Sequence, residues 1–403
     1  MKILLSAYAC EPNRGSEPEV GWNWALTLAN KGHDTFVITR KNNKKSINKY
    51  LLKNKKSNLK FVYYDLPKFL LNISKKKKIS YLYFYLWQIG VFFFTLNLVK
   101  KIKFDFIHHV TFVSLRIPVF LNFHKIPLII GPVAGGDKIP YRLRKSFSLK
   151  ENLYELIRDF NNIFIKFSFF IQFSLFKSKK IFVNSSETFD LIPAAYKKKT
   201  KILLAIAVNK IRENYVNKIN KQKIFQICYV GRLLHWKGLN ISLNVIKKLN
   251  KKKNIIFKIA GTGPYKKKII KFINDNNLSK IIILEGNLNK YRLKKLYQNS
   301  HLLLFPSLRD SGGYVVLEAA RFNVISAVLD IGGPGQLIDK FTGIKIPVKN
   351  KTEKQIINMM TRAIISHIEN KSLFKKKIIN FKKKINRQFT WDHKYKAVYE
   401  KDN

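Results

Sequence analysis

Two α/β domains, each built on a parallel sheet with helices on both faces, are what this sequence predicts. Three observations carry that reading. The chain of 403 residues is longer than one hydrophobic core usually supports, and 46% of it is apolar, enough for two cores. Strand-like and helix-like segments alternate along its length, the pattern of βαβ units. The strand-like segments are unbroken apolar runs, as strands covered on both faces require.

In the first half, residues 3–9, 35–39, 59–64, 106–109, 128–131 and 180–184 read as strands, and 17–30 as a helix entered through the loop 11–16. In the second half, 224–230, 255–260, 281–285, 302–305, 324–330 and 343–346 read as strands, with helices over 239–250, 264–276, 290–299 and 314–321. The polar stretch 209–223 is the best linker, and 390–400 reads as a last helix. The expected division is a first domain over 1–208, a second over 209–385, and a C-terminal helical segment over 386–403.

The two cysteines, Cys10 and Cys228, sit in strand-like runs and give no disulfide framework, which fits a reduced, cytosolic protein. Residues 1–10 read as a buried strand and not as a secretory leader, because the apolar run is too short. The formal net charge of +53 comes largely from lysine runs such as 75–78, 197–199, 251–253, 266–268, 375–377 and 382–384. Richness in Lys, Asn, Ile, Phe and Tyr follows from A/T-rich codons, so base composition accounts for many of these lysines; attraction to an anionic membrane surface is still their physical consequence. No stretch alternates basic residues with aromatics as a single-strand reader needs, so no nucleic-acid partner is expected. Residues 79–99 carry no charge and are about long enough to span a bilayer. Their Ser80, Gln88, Asn97, Trp87 and tyrosines favour an interfacial or core helix instead. A second aromatic-rich stretch covers 160–176, and both segments suit helices that rest on a membrane with lysines around them.

The most informative segment is Asp310-Ser311-Gly312-Gly313-Tyr314-Val315-Val316-Leu317-Glu318, which follows the apolar run 302–306. It reads as a strand, a Gly-containing turn and a helix start. Such a turn offers the backbone N–H groups of Gly312, Gly313 and Tyr314 at a helix N-terminus, a setting that suits a phosphate or diphosphate. Two carboxylates, Asp310 and Glu318, bracket it with seven residues between them. Upstream lie Tyr229-Val230-Gly231-Arg232-Leu233-Leu234-His235-Trp236-Lys237-Gly238 and Ile259-Ala260-Gly261-Thr262-Gly263-Pro264.

Together these three segments, in this order, resemble the donor-binding half of the retaining GT-B glycosyltransferases of family 4. That resemblance implies two Rossmann-like doubly wound domains facing a central cleft, with the C-terminal helix crossing back to the first domain. It extends to the first half: Glu11-Pro12-Asn13-Arg14-Gly15-Ser16-Glu17 looks like the family's loop after the first strand, placing Gly15 and Ser16 near the donor phosphates. Asp105-Phe106-Ile107-His108-His109-Val110-Thr111 looks like its strand ending in a histidine at the cleft. Which of His108 and His109 corresponds is open, since successive strand side chains point to opposite faces. Residues 131–137 look like a further Gly-rich loop, with Ala134 in place of a usual Gly. Asp310 stands for the family's first Glu. Asn323 replaces a usual Gly, which Asn tolerates at positive φ, and Ile325 replaces a usual Pro.

The implied chemistry is cleavage of a nucleotide-diphosphate sugar at its anomeric carbon. Arg232 and Lys237 are suited to the leaving diphosphate, one as a planar fork and one as a compact charge. By resemblance Glu318 binds ribose hydroxyls, Asp310 lies near the donor sugar, and Gly231, Gly261, Gly263, Ser311, Gly312, Gly313, Tyr314 and Val315 line the donor. No metal and no cofactor are expected. The reading is a retaining glycosyltransferase whose acceptor is a lipid-linked saccharide or cell-surface glycan, peripheral on the cytosolic membrane face. A transferase with a soluble acceptor, and a non-catalytic basic protein that keeps the fold to bind membrane or nucleic acid, are the alternatives.

Overall fold

A computed structural model describes residues 1–67, 70, 80–213 and 224–400. The chain forms two compact units: Met1–Gly136 with Arg158–Ala207 and Trp391–Asn403, and Asp137–Ile157 with Val208–Thr390. The chain passes between the units after Gly136, Ile157, Ala207 and Thr390, whereas the sequence-based division was placed at 208/209. It did not assign residues 137–157 to the second unit, and it began the C-terminal segment at 386 where the chain returns to the first unit at Trp391. Val208 and Thr390, the first and last residues of the longer stretch of the second unit, bridge each other. Part of the expected linker, 214–223, and the lysine run 75–78 lie outside the described residues.

The first unit holds a seven-stranded sheet of β1 (Lys2–Ala7), β2 (Asp34–Thr39), β3 (Leu59–Tyr63), β4 (Phe106–Thr111), β5 (Leu128–Val133), β6 (Ser178–Val183) and β7 (Thr200–Ile202), in the order β3-β2-β1-β4-β5-β6-β7. Its pairings are parallel. The sequence predicts all of these strands but β7, a three-residue edge strand that follows a run of lysines and carries too little apolar pattern to be seen. The helix Ser80–Lys101 presses Tyr83, Phe84, Trp87 and Val91 into the core beside Leu4, Ile38 and Ile107. It is long and apolar enough by composition to cross a membrane, yet one of its faces belongs to this core.

The second unit holds a six-stranded sheet of β8 (Phe225–Val230), β9 (Ile255–Ala260), β10 (Ile282–Gly286), β11 (Leu302–Phe305), β12 (Ile325–Leu329) and β13 (Ile344–Ile346), in the order β10-β9-β8-β11-β12-β13. Its pairings are also parallel, and the sequence predicts all six strands. Helices Leu239–Asn250, Lys266–Asp275, Lys290–Asn299 and Tyr314–Arg321 fall where their patterns place them. Asn323 has φ +59°, so the residue in the place of a usual glycine does adopt the left-handed conformation.

Each sheet reverses its winding once. The order changes direction between β1 and β4 in the first unit and between β8 and β11 in the second. Connections leaving the two strands at such a point depart to opposite sides, which opens a crevice at their C-terminal ends. Doubly wound sheets bind ligands there.

Candidate active site

In the second unit, the loops after β8 and β11 flank the reversal point and carry most of the residues the sequence singled out. The β8 loop continues into a single 3-10 turn, His235–Lys237, and Lys237 Nζ donates to Asp310 Oδ2 at 2.5 Å. Both side chains are largely buried, 13% and 19% exposed. The loops meet backbone to backbone. A Cβ at Gly261 would lie 1.9 Å from the Gly231 carbonyl oxygen, and one at Gly238, where φ is +69°, would lie 1.8 Å from that of Pro306. Leu233 N–H bonds the Thr262 carbonyl at 2.9 Å and Tyr265 N–H bonds that of Leu233 at 3.0 Å, which fixes Gly263 against the β8 loop. These glycines let neighbouring loops close on one another.

Asp310 changes the picture drawn from sequence. Its Oδ1 accepts from the N–H groups of Gly312 at 3.0 Å and Gly313 at 2.8 Å. Two of the three amides expected to await an anion are therefore taken by the chain's own carboxylate. The cause is local: an Asp preceding a helix folds back onto amides two and three residues on, as a cap does. Burial works to raise the Asp310 pKa, but the Lys237 charge, its hydrogen bond and the two amides outweigh it, so the carboxyl titrates below its usual range. Gly313 adopts φ +73° and caps the helix Tyr314–Arg321. Ser311, Gly312, Tyr314 and Val315 are partly exposed around it, and Gly313 is buried.

Arg232 is exposed, and among the described residues its guanidinium makes no hydrogen bond or ion pair. Glu318, on the helix Tyr314–Arg321, accepts from the hydroxyl of the buried Tyr297 at 3.3 Å. Burial first, and then the Glu318 charge, push the Tyr297 pKa well up, so this hydroxyl stays a donor. Among the described residues no group of three or more His, Cys, Asp or Glu is placed to hold a metal ion.

Sequence reasoning missed a cluster beside these loops. Glu155, 1% exposed, receives Arg309 and lies 3.0 Å from His235 Nε2. Burial acts against its charge, but the His235 hydrogen bond and the Arg309 charge prevail and hold its pKa below the usual carboxylate value. Arg309 also lies 4.5 Å from the Trp236 ring, and Tyr154 stacks on that ring at 5.8 Å. One carboxylate thus grips the residue before Asp310 and the turn that ends in Lys237. The adjacency of Arg309 to Asp310 was the only signal in the sequence.

In the first unit, Gly15 and Ser16 both have positive φ, +71° and +54°, at the start of the helix Ser16–Asn30, and Ser16 is exposed. The next residue, Glu17, accepts from the Val113 N–H and so ties the β1 loop to the β4 loop across that sheet's reversal point. Burial pushes its pKa up to about 7 against the lowering effect of that bond. The two histidines differ from expectation. His108 is fully buried, with Nδ1 2.8 Å from the Tyr399 hydroxyl and Nε2 2.7 Å from the Gly131 carbonyl. His109 is 2% exposed, and its Nδ1 lies 3.1 Å from Ser6 Oγ. Burial holds both neutral, at pKa values of about 3 and about 4. Neither side chain is open to a ligand in the first unit; β4 lies between β1 and β5, and both of its faces are covered.

Two parallel-sheet Rossmann-like units are the architecture of the GT-B glycosyltransferases. The fold matches that of a glycosyltransferase from Rickettsia africae, with a TM-score of 0.63 and 16% identity over 100% of this chain and 99% of the other. It also matches HepE of Anabaena in complex with UDP, with a TM-score of 0.65 and 14% identity over 98% of each chain. Residues 211–387 match the family model described as Glycosyl transferases group 1. An uncharacterized glycosyltransferase of Methanocaldococcus jannaschii is 28% identical over 31% of this chain. The match spans 32% of that relative's length, and 44% of a second relative from the same organism.

Proposed function

We propose that the protein is a retaining glycosyltransferase that takes a sugar from a nucleotide-diphosphate donor and passes it to a glycan acceptor held at a membrane. The observation that carries this reading is the pairing of Lys237 with Asp310 across the two loops that flank the reversal point of the second sheet, with Arg232 exposed on one of them. The segment lies within the residues that match the Glycosyl transferases group 1 model, and the fold is shared with a protein crystallised with UDP and with UDP-glucose.

In the reaction, the bond from the anomeric carbon to the diphosphate oxygen breaks and its electron pair leaves on the diphosphate. A new bond forms from that carbon to the acceptor hydroxyl oxygen, whose proton passes to the departing diphosphate oxygen. Arg232 meets the diphosphate as an exposed planar donor, and Lys237 divides its charge between Asp310 and the phosphate as negative charge grows. Their fixed positive charge supports a metal-independent reaction. Glu318, oriented by Tyr297, accepts hydroxyls of the nucleoside ribose. The acceptor is proposed to be a lipid-linked saccharide or cell-surface glycan on the cytosolic face, a reading supported by the chain's excess of lysine.

The test is a panel of UDP-, GDP- and ADP-sugars scored by thermal shift and by donor hydrolysis, with and without EDTA, on wild type, Arg232→Ala and Glu318→Ala. Stabilisation by one donor, weakened in both variants and indifferent to EDTA, is expected. No response to any donor would sink the proposal. Inverted configuration at the transferred sugar, read by NMR of the product, would remove its retaining part.

A further inference from the structure

We propose that one face of the first unit, formed by residues 160–176 with Phe93 and Phe123, is a docking surface for an anionic lipid bilayer. In the helix Leu149–Phe167 the residues Phe160, Ile163, Phe164 and Phe167 recur at i, i+3, i+4 and i+7 and share one side. On a helix of a water-soluble core this stripe faces inward. Here it faces outward: these four side chains are 50–76% exposed, while Asn162 and Ile165 are buried. Asn162 is held inside by Arg116, whose Nε and Nη2 donate to its Oδ1 at 3.0 and 2.6 Å. These two bonds anchor the amide oxygen on the inward face.

The next helix, Phe169–Lys177, repeats the arrangement. It buries Ile171, Ser174 and Leu175 and exposes Phe169, Phe170 and Phe176. Ring contacts make the patch continuous with two other elements. Phe169 stacks on Phe173 at 6.0 Å, Phe173 meets Phe123 at 5.2 Å, Phe123 meets Phe92 at 5.7 Å, and Phe92 meets Phe93 at 5.2 Å. A water-soluble monomer rarely leaves so large an apolar face uncovered.

Charge identifies the occupant. Residues 92–104, 119–126 and 160–180 contain no Asp or Glu. Exposed Lys166 lies within the stripe in sequence, exposed Lys100 and Lys101 end the helix that carries Phe92 and Phe93, and Lys177 Nζ lies 5.5 Å from the Phe173 centroid and 5.8 Å from that of Phe176. A second copy of the chain would bring the same lysines, with Asp159 and Asp105 at the edges of these segments as the nearest carboxylates in sequence, and a net charge of +53 against +53. An anionic bilayer supplies both missing parts: negative headgroups for the lysines and an apolar layer at ring depth. The surface lies apart in sequence from the donor-site loops, and the inference stands without the transferase reading.

The test is co-sedimentation of the full chain with vesicles of phosphatidylcholine alone, or with roughly one third phosphatidylglycerol. Wild type is compared with the combined variant Phe160→Ser, Phe164→Ser, Phe167→Ser and Phe169→Ser. Wild type should partition to the anionic vesicles at least about tenfold more strongly than to neutral ones, and the variant should lose at least about tenfold of that binding. Wild type left in the supernatant, or a folded variant that sediments like wild type, overturns the proposal. So does a wild-type dimer that the variant converts to monomer without vesicle binding. Should the combined variant fail to show a thermal transition, Phe167→Trp carries the test. Blue-shifted emission quenched by brominated lipid supports insertion, and unchanged emission refutes it.

Discussion

Lys237 Nζ and Asp310 Oδ2 stand 2.5 Å apart although 73 residues separate them in the chain. Lys237 is therefore not a lone cation held ready for phosphate. Its charge is already matched by a carboxylate that also occupies the amides of Gly312 and Gly313. The exposed charge of the two loops is left to Arg232. In the proposed reaction a donor diphosphate would have to compete with Asp310 for Lys237, which would favour interaction as charge builds on the leaving group over tight ground-state binding.

The pair should be coupled in stability. Asp310→Ala strands a largely buried ammonium and two amides, a loss of about 2–4 kcal/mol. Asp310→Asn keeps an acceptor for the amides and should cost less. The combination of Lys237→Ala with Asp310→Ala should fall short of the sum of the single losses by about 1–3 kcal/mol. Urea unfolding of the four proteins gives the cycle, and additivity would show that the contact contributes nothing. Lys237→Ala should also lower kcat by about 100-fold or more, with a smaller change in KM for the donor.

Glu155 is predicted to position both loops without touching substrate. Glu155→Ala removes the carboxylate that holds the buried Arg309 and the His235 turn, and should cost about 3–5 kcal/mol. Glu155→Gln keeps the shape and a hydrogen-bonding oxygen while removing the charge. It should leave a folded protein whose donor affinity falls while its acceptor KM does not change. Equal changes in both Michaelis constants would argue for a general loss of structure.

How much of this was legible in the sequence depended on how local the cause was. The strands of both sheets were visible because a parallel strand covered on two faces is a continuous apolar run; among the described residues only the short edge strand Thr200–Ile202 escaped. The Lys237 and Asp310 loops were visible because turns between strand and helix concentrate glycine. Glu155 was not, because an acidic residue within Leu153-Tyr154-Glu155-Leu156 reads as an ordinary solvated position. Nothing nearby shows that Arg309, 154 residues on, will meet it. The histidines misled for a related reason. Strand alternation says that His108 and His109 point to opposite faces, but not that helices Ser16–Asn30 and Trp391–Tyr399 cover His108.

His108 should therefore matter for folding more than for turnover. Its ring joins the Tyr399 hydroxyl to the Gly131 carbonyl inside the first unit. His108→Leu leaves both groups without it and should cost about 1–3 kcal/mol, with kcat within about threefold of wild type. Its folded pKa of about 3 is below the unfolded value, so only the unfolded chain gains this proton as pH falls from about 6.5 toward about 3. Wild type should lose stability across that window, and the variant should lose less. A kcat collapse in a fully stable His108→Leu protein would return the residue to the catalytic machinery.

The C-terminal helix carries a second titration of known sign. Lys394, on the helix Trp391–Tyr399, is fully buried, and its Nζ donates to the Leu204 carbonyl, with no carboxylate bonded to it among the described residues. Burial lowers its pKa to about 7, below the unfolded value of about 10.4. Between these values the unfolded chain binds the proton and the folded chain does not, so stability should rise with pH from about 7 to about 10. Lys394→Met removes the titrating group, keeps the buried stem and leaves only the Leu204 carbonyl to be satisfied. Its chemical-denaturation midpoint should be nearly level over that window, whereas that of wild type should climb. A wild-type midpoint that stays level or falls between pH 7 and 9 would mean that Lys394 reaches solvent and keeps its charge.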